Sequence, residues 1–170
     1  LSNSVKREVA LKPLTTVRKG MVYYEDKAID TYHGTVYGLA IDIGTTTVVM
    51  NLVNLESGEV EHTSSFENPQ RFGGSDIMNR ISYDGGEFKG ELQQVLLSSI
   101  NFEIGEVSKR LNFHRRRIYE AVVVGNATMR DLFYGIDVQP IGEKPYQSIT
   151  ELELKEGKRT STALTVQASE

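Results

Sequence analysis

The 170-residue chain has no cysteine. That absence removes disulfides, thiolate zinc, cysteine-ligated iron–sulfur clusters and a cysteine nucleophile from its chemistry. Histidine is scarce: His33, His62 and His114 are scattered without a paired ligand spacing and read as surface or half-buried side chains. No apolar run approaches the roughly 20 residues of a membrane span, and residues 1–12 lack a signal-peptide core. A cytoplasmic setting is therefore expected. The start at Leu1 rather than Met leads us to expect a fragment or a processed chain, with any upstream targeting signal out of view. Positive charge is also in deficit, with 19 Lys and Arg against 23 Asp and Glu, which disfavours broad binding to a nucleic-acid backbone. The basic cluster His114-Arg115-Arg116-Arg117 follows a helical stretch and reads as a solvated cap on that helix's C-terminal dipole.

Enough apolar residues are present, 39% of the chain, for a single domain with a packed core. The most informative stretch is YGLAIDIGTTTVVM, residues 37–50. A β-forming run breaks on Asp42, Gly44 and three threonines and then resumes. A carboxylate among Leu39, Ala40, Ile41 and Ile43 would carry a desolvation cost unless a cation or hydrogen bonds met it. Gly44 removes the side chain where the chain reverses, and Thr45, Thr46 and Thr47 supply backbone N–H groups and hydroxyls in one small concavity. That donor set suits a phosphate. Asp42 would then face a phosphate-bound magnesium through water, because Mg²⁺ keeps much of its shell and accepts one or two protein carboxylates. The plain alternative is a tight hairpin with threonines on a β edge.

Three strands, at about residues 37–43, 46–54 and 59–66, are expected to form an antiparallel meander ending at Asn68-Pro69. Residues 1–35 read as a linker or arm with a small hairpin at 21–24 and 28–32, Pro13 discouraging regular structure at its start. Ser75 is the expected N-cap of a short helix ending near Gly85-Gly86. A long amphipathic helix over 91–111 places Leu92, Val95, Leu96, Ser99, Phe102, Val107 and Leu111 on one face. The continuous run 121–124 reads as a strand buried on both faces. Gly125-Asn126 then opens a helix over 127–134 closed by Gly135, either as a plain N-cap or as a presentation of backbone N–H groups to a ligand. Residues 147–170 form a C-terminal extension with a β-like run at 163–167.

The order of hairpin meander, helix, strand and helix resembles one lobe of the ribonuclease-H-like fold of acetate and sugar kinases, Hsp70 and actin. This is an α/β lobe with a mixed sheet, expected here over residues 36–146. In that superfamily an Asp-x-Gly-Thr hairpin is the first phosphate loop, matched by Asp42-Ile43-Gly44-Thr45-Thr46-Thr47. Further stretches are Asn68-Pro69-Gln70, Gly74-x-Asp76-Ile77-x-x-Arg80-Ile81, Gly125-Asn126-x-x-Met129 and Gly135-Ile136-Asp137-Val138. Together these resemble the reductive activators of corrinoid proteins, typified by the activator of the corrinoid iron–sulfur protein.

The resemblance implies an actin-like ATPase domain that couples ATP hydrolysis to electron transfer onto a Co(II) corrinoid, giving Co(I). It implies Asp42 as the catalytic and magnesium-orienting residue. Gly44, Thr45, Thr46 and Thr47 would be phosphate binders, joined by Gly125 and Asn126. Asn68, Gln70 and Arg71 are candidates for substrate or partner contacts, with a turn-forming role for Asn68-Pro69 as the alternative. The expected partners are a corrinoid protein or corrinoid methyltransferase and a ferredoxin-like module, and a homodimer through a face meant for a missing lobe is a further option.

Two features depart from the complete pattern. The iron–sulfur module must lie elsewhere, because there is no cysteine here. Neither a second Asp-x-Gly loop nor a glycine-rich adenosine loop follows Gly142, so the chain should hold half of an ATP site, start a second lobe after residue 146, and bind nucleotide weakly alone. A small-molecule kinase of the same superfamily and a non-catalytic docking or dimerisation domain remain competing readings.

Overall fold

Alternation with period two organises the central sheet. In β4 (Tyr37–Ile43) the odd residues Tyr37, Leu39, Ile41 and Ile43 are buried. In β5 (Thr47–Asn54) the even residues Val48, Met50 and Leu52 are buried with them. These two strands pair antiparallel, and β5 pairs antiparallel with β6 (Val60–Glu67). β7 (Ile118–Gly125) joins parallel to β4, so the strand order is β6-β5-β4-β7. The computed structural model describes residues 13–164. Within them the chain is a mixed α/β structure, and no helix is long and apolar enough to cross a membrane.

The inward face of this sheet shares one core with the helices. α2 (Glu91–Arg110) contributes Leu92, Leu96, Ile100 and Val107, α1 (Ile77–Asp84) contributes Ile81, and α3 (Ala127–Tyr134) contributes Met129 and Leu132. The phase of α2 differs from the expected one. Phe102 is 68% exposed and Leu111 lies beyond the helix on the surface, while Ile100 and Ile104 fill the stripe. At 100° per residue, Leu92, Leu96, Ile100, Ile104 and Val107 fall within about 120° of one another, whereas the expected set spreads over about 180° with Phe102 and Leu111 at its edges.

The opposite face of the sheet is open at β7. Val122 and Val124 are 62% and 54% exposed, which corrects the expectation of a strand buried on both faces. A run of β-branched residues suits an edge strand with one uncovered face as readily as a central one. The basic cluster also differs from its expected role. Lys109 and Arg110 occupy the last turn of α2, while Arg117 lies in a separate 3-10 turn and reaches Asp30 at 3.4 Å.

The expected arm contains one strand more than a hairpin. β1 (Thr15–Arg18), β2 (Met21–Tyr24) and β3 (Lys27–Thr31) form a separate antiparallel sheet. It docks on the start of β7: the Thr15 amide donates to Glu120 Oε1 at 2.7 Å and the Tyr119 hydroxyl to Asp30 Oδ2 at 2.7 Å. That hydroxyl is the main influence holding the Asp30 carboxyl below its ordinary range. At the other end, α4 (Gln139–Gly142) is followed by α5 (Ile149–Lys155), a helix within the expected C-terminal extension. Residues 1–12 and 165–167, the latter part of the expected C-terminal β run, lie outside the described residues.

Asp76, not Ser75, caps α1. Its Oδ1 accepts the Asn79 amide at 2.9 Å and its Oδ2 accepts Asn79 Nδ2 at 2.8 Å. Asp76→Ala should lower stability by about 1 kcal/mol. Urea unfolding would register this as a lower midpoint at an unchanged slope.

Candidate functional site

The turn between β4 and β5 is built so that only glycine fits at its first position. A Cβ on Gly44 would lie 2.6 Å from the Thr47 carbonyl oxygen. That same oxygen accepts the Gly44 amide at 2.9 Å. Thr46 at the tip of the turn and Thr47 at the start of β5 are exposed.

Three carbonyls of this turn are held from beneath. Gly44 O accepts Asn68 Nδ2 at 2.8 Å, Thr45 O accepts Arg80 Nη2 at 2.6 Å, and Thr46 O accepts the Asn68 amide at 2.7 Å. The peptide planes are thereby fixed with oxygens toward the protein. The Thr45 and Thr46 amides find no acceptor among the described residues. Successive unpaired N–H groups in a turn, flanked by hydroxyls, make an anion-binding concavity.

Asp42 stands on the last turn-side position of β4 that faces away from the core. It pairs in register with Val49 and Val124 and is exposed. This corrects one step of the sequence reading. Asp42 bears no burial cost, because strand alternation turns it to the open face while Ile41 and Ile43 enter the core. Its accessibility leaves the carboxylate free for a hydrated cation.

A second loop closes the same end of the sheet. Ile43 pairs with Gly125, where a Cβ would meet the Ile43 carbonyl oxygen at 2.9 Å and the Met129 Cβ at 3.4 Å. Glycine thus lets β7 run close against β4 before α3 begins. Asn126 caps that helix through the Met129 amide at 3.0 Å, and its Nδ2 lies 3.5 Å from Thr45 Oγ1. The structure therefore brings Asp42, Gly44, Thr45, Thr46, Thr47, Gly125 and Asn126 to one rim. A shallow open recess lined by Thr45, Ser75, Asp76, Ile77 and Met78 adjoins it.

Asn68 and Gln70 do not belong to an accessible surface. Both are 0% exposed, so their expected contact with a substrate or partner is corrected to a supporting one. Asn68 holds the turn, and its Oδ1 accepts the Gln70 amide at 2.9 Å. Gln70 Nε2 donates to Leu92 O at 3.1 Å. Arg71 is exposed and pairs with Glu67, the last residue of β6. These residues begin the 3-10 helix Pro69–Gly73, entered as expected through Asn68-Pro69.

Arg80 is the site residue to which the sequence reading assigned no role. It is 1% exposed, and its guanidinium lies among the Thr45 carbonyl, the Gly74 carbonyl at 3.0 Å, Gln70 Oε1 at 3.4 Å and Met129 Sδ at 3.3 Å. Burial pulls its pKa below the ordinary arginine value, with Asp76 opposing the shift. The available signal was positional: Arg80 immediately precedes core residue Ile81 on a short helix that Gly74 leads into.

The amides and hydroxyls of the turn, beside the Asp42 carboxylate, would suit a metal-bound polyphosphate. Among the described residues no three His, Asp or Glu side chains gather into a cation cage. A cation here would depend on Asp42 and on ligand oxygens, the arrangement usual for magnesium.

Comparison with known proteins covers the same region. The family model described as the RACo middle region matches residues 37–168. The corrinoid activation enzyme RamQ of Eubacterium limosum is 33% identical over 113 residues, which are 65% of this chain and 19% of RamQ. A solved structure, "Reductive activator for corrinoid, iron-sulfur protein", is similar with a TM-score of 0.67 at 40% identity. That match covers 72% of this chain and 20% of the other. The chain thus spans about a fifth of the length of these relatives.

Proposed function

The chain belongs to the RACo middle-region family, and on that premise we propose that it is the phosphate-gripping lobe of an actin-like, ribonuclease-H-like ATPase that reductively activates a corrinoid protein. In this reading ATP hydrolysis drives one-electron reduction of the partner's Co(II) corrinoid to Co(I). The electron comes from an iron–sulfur module, which this cysteine-free chain does not supply. The observation that carries the reading is the Gly44–Thr47 turn, with its three carbonyls tied inward and two amides left to face a ligand.

Each residue has a role suited to its position. Asp42 orients hydrated magnesium, and Gly44 to Thr47 hold the β- and γ-phosphates through backbone and hydroxyl donors. Gly125 brings the second loop close, and Asn126 orients Thr45 while capping α3. Phosphoryl transfer depends on such positioning and charge neutralisation more than on covalent help from the protein. Mg-ATP and Mg-ADP titrated calorimetrically into the full-length protein should bind at a single site. The 170-residue chain alone should bind much more weakly, because one lobe presents half of the contacts. Absence of heat with folded full-length protein would remove the nucleotide role.

A further inference from the structure

A buried arginine is costly unless its donors are used. Arg80 is 1% exposed, yet among the described residues it has no carboxylate within ion-pair distance. Its partners are two main-chain carbonyls, one amide oxygen and a thioether. A side chain needed only to fill space at this point of α1 would be served by methionine or leucine, without the cost of taking a guanidinium out of water. What the guanidinium does that they cannot is bond the Thr45 carbonyl at 2.6 Å from below.

We propose that Arg80 is a positioning residue for the candidate phosphate turn: its buried guanidinium fixes the Thr45 peptide with oxygen inward, so that the following amide faces the ligand. The effect on nucleotide rests on the function proposed above, whereas the effect on the turn does not. Arg80 acts together with Asn68, which takes the carbonyls on either side, Gly44 O and Thr46 O. It also joins the two loops of the site, because Arg80 Nη1 and Asn68 Nδ2 both approach Met129 Sδ, at 3.3 and 3.6 Å, on the helix that Asn126 caps. Its retained charge lies directly beneath the outward amides and adds to their attraction for an anion.

Two variants of the full-length protein test this: Arg80→Met, which removes donors and charge at similar length, and Arg80→Lys, which keeps the charge and one donor group. The first readout needs no nucleotide. Hydrogen–deuterium exchange of the Gly44 and Asn68 amides, bonded to Thr47 O and Thr46 O, should accelerate in Arg80→Met by ~10-fold or more, while exchange in the β5–β6 ladder stays slow. Arg80→Lys should fall between Met and wild type. The second readout is Mg-ATP affinity, which should weaken ~10- to 100-fold in Arg80→Met and less in Arg80→Lys.

Unchanged turn exchange in both variants would overturn the proposal. So would equal acceleration throughout the sheet, which marks general destabilisation. If Arg80→Met does not fold, wild-type exchange and affinity in Arg80→Lys would overturn it alone. A wild-type protein that binds no Mg-ATP, combined with a turn loosened in Arg80→Met, would sink the nucleotide reading and leave Arg80 as the anchor of the turn. Normal wild-type binding with an unmoved turn would do the reverse.

Discussion

Asp42→Ala is expected to lower ATP turnover by the full-length protein at least ~100-fold while leaving its melting temperature nearly unchanged. The two halves of this expectation come from the same strand geometry. Asp42 is exposed on the face of β4 that points away from the core, opposite Val49 and Val124. Removing an exposed side chain that holds no neighbour typically alters stability by less than about 0.5 kcal/mol. The carboxylate is nonetheless the acidic group beside a turn whose amides and hydroxyls suit polyphosphate. Without it, charge on the phosphates would lose its metal-orienting partner at the step where neutralisation matters most. Asp42→Asn should fall almost as far, because it keeps the shape and loses the charge. Phosphate release at saturating Mg-ATP and a thermal melt on the same samples provide the check. Unaltered turnover in Asp42→Ala would refute its assigned role.

The meander was readable because each strand carries one buried and one exposed face, and because Gly44 marks a reversal that a Cβ would block. The same alternation governs Asp42. The apolar run around it implies burial, whereas its even position in β4 places it on the open face. At β7 the apolar run 121–124 could not distinguish an edge from a centre, since both accept valine; only strand order decides. α5 carries a local signal in its first turn. Ser148 and Glu151 form a reciprocal capping box, with the Glu151 amide bonded to Ser148 Oγ at 3.2 Å and the Ser148 amide to Glu151 Oε2 at 2.8 Å. Buried Asn68, Gln70 and Arg80 were the hardest to place. Polar side chains default to the surface in a linear reading, whereas Asn68 and Arg80 are buried against backbone carbonyls of the turn and Gln70 against the Leu92 carbonyl of α2, partners far away in sequence.

Arg130→Met should destabilise the protein by about 3–5 kcal/mol at neutral pH, and the deficit should shrink on acidification. Asp131 on α3 is 0% exposed, and its Oδ1 accepts Arg130 Nε at 2.7 Å. Its Oδ2 has no partner among the described residues, so Arg130 supplies the compensation that this carboxylate has. Arg130 also binds Thr150 Oγ1 at 2.6 Å, Ser148 Oγ at 3.3 Å and Thr162 O at 3.2 Å, tying α3 to α5 and the segment after it. Burial holds the Asp131 carboxyl above its ordinary value of 3.8 despite the Arg130 charge. The folded state therefore binds more protons than the unfolded state between those two pKa values. Asp131's contribution to stability is then most favourable below the unfolded value and declines as pH rises through the folded one. Removing Arg130 raises the folded value further and widens that window. Urea unfolding at pH 7 and pH 5 should accordingly show a smaller Arg130→Met deficit at the lower pH. The double variant Arg130→Met with Asp131→Leu should recover much of the loss at pH 7, because no buried charge remains to be compensated. A pH-independent deficit left intact in the double variant would instead assign the loss to the missing contacts with Ser148, Thr150 and Thr162.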